Sequence, residues 1–170
     1  NWGFELMWQT MEDILSGRAR SLYYYNLGCN VPMYLHIDLR DDNRHCLVLW
    51  WYASTCRHLG IGGTHEDPYV AEAQKAAMRR YRRLERFFKR GIFYGLAEDI
   101  HLHVLPEEGA FVVNLFNMSD TSRLMEISIP LSDLKLDTSK AYIMPKGCRI
   151  DPESGNFVLE RRLEPWGAQV

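Results

Sequence analysis

The hydrophobic period of this chain changes once, close to Gly91, and that change limits the architectures open to it. Upstream of it, Val70, Ala73, Ala77, Tyr81, Leu84 and Phe88 recur at intervals of three and four, which puts them on one face of a helix. Downstream, Ile100, Leu102 and Val104 alternate with His101 and His103, and Met125, Ile127 and Ile129 alternate with Leu124, Glu126 and Ser128. That period of two belongs to strands, with Met125, Ile127 and Ile129 facing inward. The pattern predicts an α/β segment followed by an all-β antiparallel sandwich, with a break at residues 90–98 and domains spanning 1–94 and 95–170.

The helix before the break has both end signals. Pro68 suits its first turn behind Thr64 or Asp67 as N-cap, and Gly91 suits its C-cap after about Lys89. Earlier in the chain, YLHIDL at residues 34–39 reads as a strand that stops at the turn and capping residues Asp41, Asp42 and Asn43. From Cys46 to Cys56 the apolar positions return to helical spacing. Within that helix Trp50, Trp51 and Tyr52 must point in different directions, at least one into a core. RHLGIGG at residues 57–63 then ends it in a glycine-rich turn, and residues 4–15 carry a further helical stripe. A strand with helices on either side in sequence belongs to a parallel layer that helices cover.

The β-rich half reads as strands at residues 100–106, 110–117, 123–130, 141–145 and 156–163, separated by turn signals such as Glu107-Glu108-Gly109 and Glu153-Ser154-Gly155. Charge is nearly balanced at a formal −2, so electrostatics of the whole chain argue for neither a nucleic acid nor a membrane surface as partner. No apolar run reaches the length of a membrane span, which is roughly 18 residues. Cys46 and Cys56 lie about 15 Å apart along one predicted helix, too far to bridge, so the four cysteines read as free and mostly buried thiols. The opening NWGFELMWQ has neither an initiator Met nor a secretory apolar stretch and reads as a domain boundary or a processed end.

One order of parts is familiar. The arginine- and tyrosine-rich MRRYRRLERFFKRGIFYGL, the pair Phe93-Tyr94 and the following β phrase AFVVNLFNMSD resemble the junction between the last helix of a (β/α)8 barrel and a C-terminal β-sandwich. That junction occurs in glycoside hydrolases of the alpha-galactosidase (melibiase-like) group, and the resemblance covers residues 33–130. It implies that residues 34–39 are the seventh barrel strand, 44–58 its helix, 59–63 the eighth strand and 68–90 the last helix. Family catalysis uses two acidic residues at the ends of earlier strands, and neither has a counterpart here. The resemblance therefore implies a C-terminal fragment of a carbohydrate-active protein without independent catalysis, with the acid pair outside this chain, a carbohydrate partner, and neither a cofactor nor a metal. It leaves oligomerisation open.

Under that reading the residues that would reach a sugar are His36, Asp38, Arg40, His58 and His65, because ligands sit beyond the carboxyl ends of parallel strands. Each has a plainer reading. Asp41, Asp42 and Asn43 cap a helix, and the glycines from Gly60 to Gly63 allow close backbone packing without the spacing of a phosphate loop. His101 and His103 share a strand face but have no further ligands placed for zinc, and they read as exposed or partner-facing. The cations from Arg79 to Arg90 read as the solvated face of an amphipathic helix before they read as a nucleic-acid contact. The alternative to the fragment is a stand-alone glycan- or protein-binding module.

Overall fold

The structure, a computed structural model, describes residues 66–137 and 139–170 throughout. Upstream it describes the backbone of residues 4–7, 33–36 and 59–62, together with residues 24, 25, 27–29, 48, 51 and 55. Three strands open the chain: β1 (Phe4–Met7), β2 (Met33–His36) and β3 (Leu59–Gly62). They form one parallel sheet in the order β1-β2-β3, with Phe4 opposite Met33 and Met33 opposite Leu59. Residues 8–32 and 37–58 join them, and each connection exceeds the dozen or so residues that a parallel crossover needs.

Two expectations change here. Residues 4–7, read as the start of a helix, are strand β1, because four residues of mixed polarity fit either period and the β2 ladder decides between them. The residues read as a glycine turn form β3, where Gly60 and Gly62 lie opposite Tyr34 and His36. Residues 8–15 of the first stripe and 37–39 of the strand predicted at 34–39 lie outside the described residues, as does the helix predicted from Cys46 to Cys56 apart from Val48, Trp51 and Thr55.

The helix α1 (Pro68–Arg90) keeps its expected ends. Asp67 is the N-cap and accepts the Tyr69 amide at 2.8 Å, Pro68 occupies the first turn, and the Gly91 amide donates to the Phe87 carbonyl. Gly91 sits in an extended conformation, and what requires glycine is room, since a Cβ there would collide with the Phe87 carbonyl. Lys89 and Arg90 in the last turn suit the negative end of the helix dipole. Its buried face comprises Val70, Gln74, Ala77, Tyr81, Phe87 and Phe88.

Beyond α1 the chain is antiparallel. Strands β4 (Ile92–Ala97), β5 (Ile100–Leu105), β6 (Ala110–Phe116) and β10 (Ala168–Gln169) make one sheet in the order β10-β6-β5-β4. Strands β7 (Arg123–Pro130), β8 (Cys148–Ile150) and β9 (Asn156–Leu163) make a second in the order β7-β9-β8. Leu102, Val104, Val113 and Leu115 from the first sheet share a core with Met125, Ile127, Ile129, Phe157, Leu159 and Leu163 from the second, so the two pack face to face. The opposite face of the first sheet, with Leu105, Val112 and Phe116, packs with Val70, Ala77, Tyr81, Phe87 and Phe88 of α1. The result is three layers, helix, sheet and sheet, following the parallel segment in sequence.

The stretch at 90–98 that reads as a break is strand β4, paired from Ile92 opposite Val104 to Ala97 opposite Ile100. Its burial follows no period of two, which hid it. The strand predicted at 141–145 is not one, and β8 lies a few residues later at Cys148–Ile150. Tyr142 and Met144 still turn toward the core while Ile143 is wholly exposed, so the alternation is present where no ladder forms among the described residues.

Candidate functional site

The carboxyl ends of β1, β2 and β3 lie side by side, with His36 opposite both Met7 and Gly62. This is the edge of a parallel sheet at which ligands collect, because loops leaving it converge on one side. Of the residues named from sequence, His36 is placed at the last position of β2, and Asp38, Arg40, His58 and His65 lie outside the described residues.

A second concentration of polar groups lies on the α1 face of β5 and β6. His101 is fully buried and His103 nearly so, which corrects the expectation that they are exposed or partner-facing. Sequence alternation placed them correctly on one face, and the packing of α1 together with Tyr24, Leu27 and Trp51 over that face buries them. His101 Nε2 lies 3.0 Å from the Glu98 carbonyl. Aromatic rings surround the pair: Phe88 is 4.9 Å from the His103 ring edge-on, Phe93 lies 5.4 Å from His101 and 5.1 Å from His103, and Phe116 is 5.1 Å from His101. Burial pushes the pKa of each down to about 3, helped for His101 by its neighbour His103 and opposed for His103 by a hydrogen bond with the Thr55 backbone. Both imidazoles are therefore neutral near neutral pH. No group of three or more metal-binding side chains occurs among the described residues.

The cationic run on α1 is largely engaged within the chain. Arg86 Nε is 3.1 Å from Glu108, and Arg90 reaches Glu107 at 3.1 Å and Glu108 at 3.2 Å, tying the end of the helix to the turn at Pro106–Glu108. Arg80 lies 5.1 Å from the centre of the buried Trp51 ring, and Lys89 pairs with Glu85 at 3.5 Å. Arg79, Arg82 and Arg83 point to solvent. The two described cysteines, Cys29 and Cys148, are free; Cys29 is exposed, against the expectation of buried thiols. No helix among the described residues is long and apolar enough to cross a membrane.

Two asparagines escaped the sequence reading. Asn117 is fully buried and binds on both sides of its amide: Nδ2 donates to the carbonyls of Thr121 at 2.8 Å and Glu164 at 2.9 Å, and Oδ1 accepts from Ser119 Oγ at 2.7 Å. It fastens the β6–β7 loop to the end of β9. Asn114, three residues earlier and equally buried, has no hydrogen-bond partner for either amide atom among the described residues. Asn within or directly after an otherwise apolar strand was the available signal for both. Compared with known proteins, the chain matches no family model, no curated protein and no solved structure.

Proposed function

We propose that this chain is the C-terminal part of a carbohydrate-active, glycosidase-like protein, comprising the last strands of a (β/α)8 barrel and an accessory β-sandwich. The observation that carries the reading is the order of strands. Three parallel strands adjacent in space in their order along the chain, then a long helix, then an antiparallel sandwich, is the succession expected of a barrel's closing units and the domain after it. In this reading the sugar lies against the carboxyl ends of β2 and β3. His36, Asp38, Arg40, His58 and His65 supply hydrogen bonds to its hydroxyls there, and hydrolysis depends on acidic residues outside this chain.

The test is saturation-transfer NMR of this chain with α- and β-galactosides and glucosides. Transfer to one sugar, abolished in Asp38→Ala with Arg40→Ala and retained in Arg149→Ala on β8, supports the reading. Absence of transfer to every sugar at about 10 mM overturns it. Hydrolysis of an aryl glycoside by these 170 residues alone overturns the assignment of catalysis to groups elsewhere.

A further inference from the structure

Helix α1 carries eight basic side chains, and the acids beside them, Glu72, Glu85, Glu107 and Glu108, are too few to match them. Those acids are taken up by Lys75, Arg86, Lys89 and Arg90, while Arg80 lies over the buried Trp51 ring. Arg79, Arg82 and Arg83 are exposed and have no ion-pair partner among the described residues. Glu72 is held below the usual carboxylate range first by Lys75, at 2.8 Å, and only last by Arg79. Spacings of three and four residues put the three guanidiniums on one side of α1, within about 6 Å of rise. Like charges at those spacings repel and weaken the helix that carries them. Arg83 acts in the same way on Arg80, whose pKa burial and then this neighbour pull below its usual value. No acid among the described residues offsets that cost, and a partner of opposite charge does.

We propose that this face of α1 is a second polysaccharide contact, at which an acidic glycan lays its uronate carboxylates against Arg79, Arg82 and Arg83. The inference rests on the sugar reading for the class of polymer, and its site lies on a different element from the sheet edge that carries His36. Guanidinium forks take a carboxylate through two parallel hydrogen bonds, and all three unengaged cations are arginine. Apart from Tyr69 at its start, α1 exposes no large apolar side chain among the described residues. The face therefore lacks the apolar centre of a protein interface and the apolar wedge of a membrane-binding helix. Three cations on a chain of formal charge −2 fall short of the basic surface that holds a nucleic acid through about six or more phosphates. A uronan carries one charge per sugar, and its sugars advance by roughly one helical turn, about 5 Å. A chain lying along α1 thus presents successive carboxylates over the rise from Arg79 to Arg83.

The experiment is fluorescence anisotropy of this chain with an end-labelled octagalacturonate and with its fully methyl-esterified form, which keeps the sugars and removes the charge. Saturable binding of the acid form is expected, with a Kd below about 1 mM, weakened roughly tenfold or more by esterification and falling with added salt. Arg79→Gln with Arg82→Gln and Arg83→Gln is expected to weaken it by a similar factor while the thermal midpoint holds or rises, since glutamine suits a helix and the repulsion is gone. Lys146→Gln with Arg149→Gln and Arg162→Gln removes the same charge from β8, β9 and the turn before β8, and is expected to change affinity less than about threefold. The proposal fails if the ester binds equally, if the second triple variant weakens binding as much as the first, or if the first unfolds at a lower temperature. It fails also if duplex DNA of equal charge binds more tightly, or if no uronate binds at about 1 mM. Asp38→Ala with Arg40→Ala separates the two readings. Uronate binding abolished by that pair and spared by the arginine variant belongs to the sheet edge and overturns this proposal alone. Uronate binding at α1 without transfer to any neutral sugar overturns the sheet-edge site alone.

Discussion

Toward β7 and β9, strands β5 and β6 present Leu102, Val104, Val113 and Leu115; toward α1 the same two strands present His101, His103 and Asn114 beside Val112 and Phe116. Both faces are dry. The first is held by apolar contact alone, which is indifferent to pH and tolerates no loss of volume. The second buries groups that water would otherwise hydrate, so its contribution depends on the histidines staying neutral and on where each amide finds a partner. One sheet thus has a face whose stability is fixed and a face whose stability is conditional.

That contrast is broken most sharply at Leu102, which is fully buried on the aliphatic face. Leu102→Ala is expected to lower unfolding free energy by about 3–5 kcal/mol in urea titrations, against under about 1 kcal/mol for the half-exposed Leu124→Ala. Similar losses at the two sites would mean that the sheets do not form a packed interior.

The histidine face is sharpened by pH. Each imidazole is held down from its ordinary 6.5 to about 3, so both are neutral in the folded and unfolded chain above pH 6.5. Below that, the unfolded chain takes up protons that the folded chain refuses until about pH 3, and stability falls as pH falls through this window. The slope from each histidine is about 1.4 kcal/mol per pH unit, and His103→Phe is expected to remove about half of the pair's contribution. Urea titrations at pH 6, 5 and 4 measure it; an unchanged slope in His103→Phe would show that the acid sensitivity lies elsewhere.

Asn117 and Asn114 give the next contrast. Asn117→Ala strands the Thr121 and Glu164 carbonyls and is expected to cost about 2 kcal/mol, whereas Asn114→Leu is expected to lie within about 1 kcal/mol of the parent or to stabilise it. The reverse ranking would mean that the Asn114 amide is hydrogen-bonded in the folded chain. The smallest effect is at the helix end: Arg90→Ala loses exposed pairs with Glu107 and Glu108 and is expected to shift the thermal midpoint by no more than the equivalent of about 1 kcal/mol, less in high salt.

What could be read locally was read well. The helix from Pro68 to Arg90 carries its N-cap, its proline and its terminal glycine at its own ends, β5, β7 and β9 carry alternation bounded by turns, and β6 is an apolar run between turns. Of the candidate sugar site, the sequence supplied residue types, and the structure adds the placement of His36 beside Gly62 at the carboxyl end of the parallel sheet. Where the reading failed, the deciding contact was distant. Phe4–Met7 is a strand because β2 lies beside it, β4 because β5 does, and residues 141–145 alternate without becoming a strand because no neighbour pairs with them among the described residues.

The amino-acid order by itself determined the change from helical to alternating period near Gly91 and which side chains share each face, since both follow from the local geometry of one segment. Only the tertiary structure decided that the face of His101 and His103 is an interior, and that β10 pairs with the outer edge of β6. Burial and ladder pairing are properties of two segments at once, and no single stretch of chain encodes which other will lie against it.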